Sequence, residues 1–74
     1  MLEKIRDILE EYVNIPKEQI NLATSFATDL EMSSLDIVDV IVAFEDEFNI
    51  EIPDRIIKDL RTIGDISKYI EANV

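Results

Sequence analysis

Cysteine and histidine are both absent from the 74 residues. Without cysteine, no disulfide can staple a small fold and no thiolate can act as nucleophile or metal ligand. Without histidine, the commonest general base and metal ligand is missing as well. Hydrolytic chemistry has little to work with, and an enzyme is not expected. Long apolar runs are absent too. No stretch approaches the roughly 20 apolar residues that a membrane span needs. The start, MLEKIRDILEEY, mixes charged and apolar residues and has no signal-peptide hydrophobic region. A cytoplasmic setting without stable membrane insertion is expected. A chain of this length makes one domain, residues 1–74, and a core this small rarely supplies more than about 3–5 kcal/mol of net stability.

Bases are scarce, and in one region missing. Seventeen acids against seven bases leave a net charge of −10. Residues 18–54 hold ten acids and no base, so the whole excess sits in the middle of the chain. That excludes nucleic acid as the expected partner, because a phosphate backbone is bound by Lys and Arg. It favours proteins with basic patches, through electrostatic steering of encounter.

Leu2, Ile5, Leu9 and Tyr12 recur at helical spacing, with Ile8 and Val13 alongside. They predict an amphipathic helix ending near Val13 or Asn14, before Pro16. Residues 15–33 have weak periodicity and read as a long ordered loop with one short turn around Lys17–Ile20. Ile20, Leu22, Phe26 and Leu30 are its expected anchors. Ser33 followed by Asp36 is a capping-box pattern, so a second helix is expected from Ser33 or Ser34 to about Phe48 or Asn49. Asn49-Ile50-Glu51-Ile52 alternates like a strand but is too short and isolated to make a sheet. Asp54 is expected to cap a short third helix, Arg55–Leu60, with Ile56, Ile57 and Leu60 inward. Thr62 and Asp65 form a second box, opening a last helix that carries Ile63, Ile66, Tyr69 and Ile70. Gly64 reads there as a mild cost. The expected fold class is all-α: a four-helix bundle with three main helices, one short third helix and a long first loop.

The second helix has more apolar residues than one face can hold. At 100° per residue, Ile37, Ile41, Phe44 and Phe48 fall within about 60° of each other, flanked by Val40. This is the expected core stripe. Leu35, Val38 and Val42 fall on a separate arc bordered by Asp39, Glu45 and Asp46. Two readings fit that second stripe. The loop or the third helix packs on it, or it is a docking surface with an apolar centre and a charged rim.

The segment Asp29-Leu30-Glu31-Met32-Ser33-Ser34-Leu35-Asp36, followed by Glu45-Asp46-Glu47-Phe48-Asn49-Ile50-Glu51-Ile52-Pro53-Asp54, resembles the acyl carrier protein family. The family pattern is roughly D-L-G-x-D-S-L-D, then apolar and acidic residues, then E-x-E-F-x-x-E-I-P-D. The likeness covers essentially the whole chain, and Ser34 falls in register with the family's serine. The resemblance implies a covalent 4'-phosphopantetheine on Ser34, donated from coenzyme A by a phosphopantetheinyl transferase. Its thiol would carry acyl groups as thioesters for fatty acid, polyketide or related enzymes with basic docking patches. Leu35, Asp36, Val38, Asp39, Val42, Glu45 and Asp46 match the family's partner-recognition helix. The family fold implied is a four-helix bundle whose interior can admit an acyl chain, and a monomer is expected.

Two positions depart from the family. Ser33 stands where the family usually has Asp, which removes a carboxylate beside the modified serine while keeping a good N-cap. Glu31 stands where it usually has Gly. Gly permits positive φ, so Glu31 predicts a different local turn and adds an acid near the prosthetic group. These changes suggest a specialised carrier. An aminoacyl carrier, such as a D-alanyl or peptidyl carrier, shares the arm and the fold. An unmodified module that kept the fold and lost the arm is a further reading. A calcium loop starting at Asp29 fails on spacing, since its sixth and twelfth positions are Ser34 and Val40 rather than Gly and Glu. No metal site is expected beyond diffuse divalent binding to the acidic face.

Overall fold

A computed structural model describes all of residues 1–74. It contains four helices: α1 (Leu2–Leu9), α2 (Ser34–Phe48), α3 (Asp54–Ile57) and α4 (Ile63–Asn73). A single 3₁₀ turn, Lys17–Gln19, sits in the long α1–α2 connection where a short turn is expected. There is no sheet, only one isolated antiparallel bridge between Ser25 and Thr62. No helix is long and apolar enough to cross a membrane.

The core is one cluster. Ile5 and Leu9 of α1, Val40, Ile41 and Phe44 of α2, and Ile63, Ile66 and Ile70 of α4 are buried in it. Ile37 and Phe48 are half-buried and pack against it, so all five residues of the expected α2 core stripe face inward. α1 packs against both α2 and α4.

α1 stops earlier than its apolar spacing predicts. Glu11 N–H donates to Ile8 O and Tyr12 N–H to Leu9 O, which are i→i−3 bonds that tighten the last turn. The tightening swings Tyr12 out to solvent, and Val13 packs on the core in its place. The loop that follows is fixed to α1. Arg6 Nε donates to Ile20 O at 2.7 Å, and Lys17 Nζ pairs with Asp7 at 3.1 Å.

Ile20, Phe26 and Leu30 anchor the loop as expected, but Leu22 does not. Its side chain is 52 % exposed, because its backbone is committed to α4: Gly64 N–H donates to Leu22 O at 2.8 Å. Met32, which the spacing does not single out, is buried instead. Buried Thr24 accepts from Asn21 N–H through Oγ1, while Phe26 N–H donates to Arg61 O and Ile63 N–H to Thr24 O. With its polar backbone paired in this way, a connection this long stays ordered.

Gly64 does more than cost helix propensity. A Cβ built on it would lie 2.9 Å from Leu22 O, closer than real Cβ atoms approach, so the loop–α4 contact needs glycine there. Asp54 does not cap α3. Pro53 occupies the N-cap position and Asp54 is the first helical residue, where its carboxylate meets the positive end of the helix. α3 also ends at Ile57 rather than Leu60. Asp59 N–H donates to Ile56 O and Leu60 N–H to Ile57 O, tight turns that nonetheless bring Leu60 into the core.

The two capping boxes form as the sequence indicates. In α4, Thr62 Oγ1 accepts from Asp65 N–H, and Asp65 Oδ2 accepts from Thr62 N–H at 3.2 Å and Arg61 N–H at 3.0 Å. The Arg61 bond, with those from Thr62, holds the Asp65 carboxyl below the ordinary range against a smaller opposing cost of burial. α2 ends on Asn49 in the left-handed region, φ 54, a conformation asparagine tolerates.

Candidate functional site

Two adjacent hydroxyls stand at the entrance to α2, and the fold uses them differently. Ser33 is the N-cap. Its Oγ accepts from Asp36 N–H at 3.3 Å, while Asp36 Oδ2 accepts from Ser33 N–H at 3.1 Å. Ser34 is the first helical residue, exposed, and its hydroxyl makes no hydrogen bond within the protein. Ser33 Oγ is occupied by the helix it starts, and Ser34 Oγ is free to react.

The backbone around Ser34 suits an anionic substituent. The first-turn N–H groups of a helix carry partial positive charge, and they favour a phosphate ester. Glu31, three residues before, has φ 51. The left-handed turn that a glycine would adopt freely is therefore formed by a glutamate. The expectation of a different turn is not met, because buried Leu30 and Met32 on either side hold the chain in this path. A left-handed non-glycine residue costs roughly 1–2 kcal/mol. Glu31 is exposed.

A cleft of about 680 Å³ opens beside Ser34 between α2 and the α3 region. Phe26, Ile37, Val38, Ile57 and Leu60 give it apolar walls, and Asp54, Lys58 and Arg61 add charge. The cleft gives an arm on Ser34 somewhere to lie, so the residues present fit such a group. Lys58 and Arg61 were not legible as part of the site. They lie 24 and 27 positions beyond Ser34, and only the fold of the α3–α4 turn brings them to it. The one available signal was that bases reappear immediately after a stretch that has none.

The second apolar stripe of α2 faces solvent. Leu35 is 78 % exposed, Val38 42 % and Val42 48 %. Neither the loop nor α3 covers Leu35 and Val42, and only Val38 also lines the cleft. Asp36, Asp39 and Asp46 are exposed around the stripe. Glu45 is placed differently. It is half-buried, and its Oε2 accepts from Ile52 N–H at 2.7 Å, tying α2 to the segment before α3. Of the seven residues that resemble the family's recognition helix, all but half-buried Glu45 are exposed on α2, with Ser34 at its head. No group of three or more potential metal ligands is assembled anywhere in the chain.

Residues 3–70 match the family model described as "Phosphopantetheine attachment site". Among solved structures, the chain is similar to the acyl carrier protein of Enterococcus faecalis, a structure described for its high thermal stability. The two are 27 % identical with a TM-score of 0.86, over 99 % of this chain and 92 % of that one.

Proposed function

Because this chain belongs to the phosphopantetheine attachment-site family, whose members are carriers rather than catalysts, we propose that it carries acyl groups as thioesters on an arm borne by Ser34. The observation that carries this reading is the division of labour between two hydroxyls. Ser33 Oγ is held in the capping box, and Ser34 Oγ is exposed and unpartnered at the head of the ridge.

Ser34 Oγ is the nucleophile toward coenzyme A. A bond forms between Oγ and phosphorus, a P–O bond of the pyrophosphate breaks, and the adenosine bisphosphate fragment leaves. The serine proton passes to a base on the transferase, so this chain needs no histidine of its own. When attached, the arm supplies a terminal thiol on which the cargo is held as a thioester. Leu35, Val38 and Val42 form the apolar centre of the docking ridge, and Asp36, Asp39 and Asp46 steer basic partners onto it. Glu45 borders the ridge and ties its lower end to Ile52. The 74 residues act as one carrier domain.

Acyl rather than aminoacyl cargo is favoured by the apolar walls of the cleft and by the run of acids in α2. Ser33 and Glu31, in place of the family's usual Asp and Gly, support a specialised carrier with its own transferase or client set. Intact mass after co-expression with a broad-specificity transferase tests the attachment. The wild type and Ser33→Ala should gain the mass of one phosphopantetheine, and Ser34→Ala should gain none. A gain retained in Ser34→Ala would move the site to another hydroxyl, and no gain in any form would leave an unmodified module. The thioester recovered from native cells would identify the cargo.

A further inference from the structure

The chain keeps every base away from residues 18–54, yet the fold brings two of them into the cleft that Ser34 lines. Lys58, in the turn after α3, and Arg61, just before α4, line the same cleft as Ser34. Both are exposed, and neither side chain makes a salt bridge or hydrogen bond within the protein. Arg6 and Lys17, by contrast, are already engaged with the first loop and α1. The only acid among the cleft's lining residues is Asp54. Attaching a phosphodiester at Ser34 adds negative charge to a segment that already holds ten acids. The cations that share its cleft are free to offset it.

We propose that Lys58 and Arg61 hold the phosphodiester at Ser34 and so lay the arm along the apolar cleft between α2 and α3, instead of leaving it in solvent. The proposal rests on Ser34 being the attachment residue. Arg61 offers the planar fork that matches two phosphate oxygens, and Lys58 offers a point charge. Phe26, Ile37, Ile57 and Leu60 supply the apolar bed beyond them. Asp54 lines the same cleft and repels an oxyanion from its own side, which favours the Lys58–Arg61 side. Lys58 and Arg61 are positioning residues here, and they take no part in forming or breaking a bond.

The test uses the full chain converted to its modified form, with intact mass confirming one arm per molecule. Lys58→Gln, Arg61→Gln and the double variant are compared with Lys68→Gln. Lys68→Gln changes the net charge by one, as each single variant does, but Lys68 does not line this cleft. The readouts are the ³¹P resonance of the phosphodiester and the melting temperature of modified minus unmodified protein, at low and high salt. In the wild type, modification should raise the melting temperature by about 4 °C at low salt, and salt should erase the rise. The double variant should lose the rise and shift the ³¹P resonance, and Lys68→Gln should do neither. A double variant that keeps both the rise and the wild-type ³¹P resonance overturns the proposal, as does an equal response in Lys68→Gln. A response confined to protein loaded with a carboxylate-ended thioester overturns it too, by placing the cations at the cargo instead of the phosphate. If the wild type gains no arm at all, the intact mass shows it first, and the carrier reading falls together with this one.

Discussion

The two apolar faces of α2 are built from the same kinds of residue and meet opposite fates. Ile37, Ile41, Phe44 and Phe48 turn into the bundle, while Leu35, Val38 and Val42 lie open on the other side. The same helix closes the core with one face and leaves a ridge with the other. Burial stabilises the fold on the first. On the second, exposure is tolerated because a rim of carboxylates keeps the surface around the ridge well hydrated. The apolar content of a helix therefore does not indicate how much of it holds the fold.

The widest separation between the faces should come from Phe44→Ala against Leu35→Ser. Phe44 is fully buried. Its truncation should cost about 3–5 kcal/mol, comparable to the net stability of a domain this small, and circular dichroism should show a largely unfolded chain. Leu35→Ser should stay within about 0.5 kcal/mol of wild type while slowing modification by the transferase. If Leu35→Ser melted like Phe44→Ala, the ridge would be part of the core.

Gly64→Ala is next in size. In an ordinary helix this change stabilises by about 1 kcal/mol. Here the added Cβ meets Leu22 O at 2.9 Å, so a net loss of about 1–3 kcal/mol is expected, measured by urea unfolding. Glu31→Gly should act in the other direction. It relieves the left-handed backbone strain and stabilises by about 0.5–1 kcal/mol, which equilibrium unfolding would show.

The smallest effect is in the pH dependence. The folded state holds the Asp65 carboxyl below its ordinary value of 3.8. Its contribution is therefore present above that pH and is lost as pH falls through the lower folded value. Asp65→Asn should flatten the stability profile below about pH 4 and leave it unchanged near neutrality apart from a constant offset. An unaltered acid limb would show that the box is held by Thr62 alone.

Much of the architecture was legible because it rests on local chemistry. Ser33 with Asp36 and Thr62 with Asp65 mark two helix starts, and both boxes form. The α2 core stripe follows from a 100° repeat. The failures lie where a distant segment decides. Leu22 looks like an anchor until Gly64 claims its carbonyl. Glu45 also accepts from Ile52 N–H, a bond that no local pattern announces. Asp54 is a local failure instead: Pro53, its immediate neighbour, takes the cap position.

The starts of α2 and α4 and the inward stripe were written in residue order, because each depends on neighbours within a few positions, and the charge excess was written in the count of acids and bases. Whether the second apolar face stays open, why a lone glycine must sit beside Leu22, and which cations share a cleft with Ser34 were decided only by folding. Those outcomes depend on segments far apart in the chain, and no local pattern encodes which of them meet.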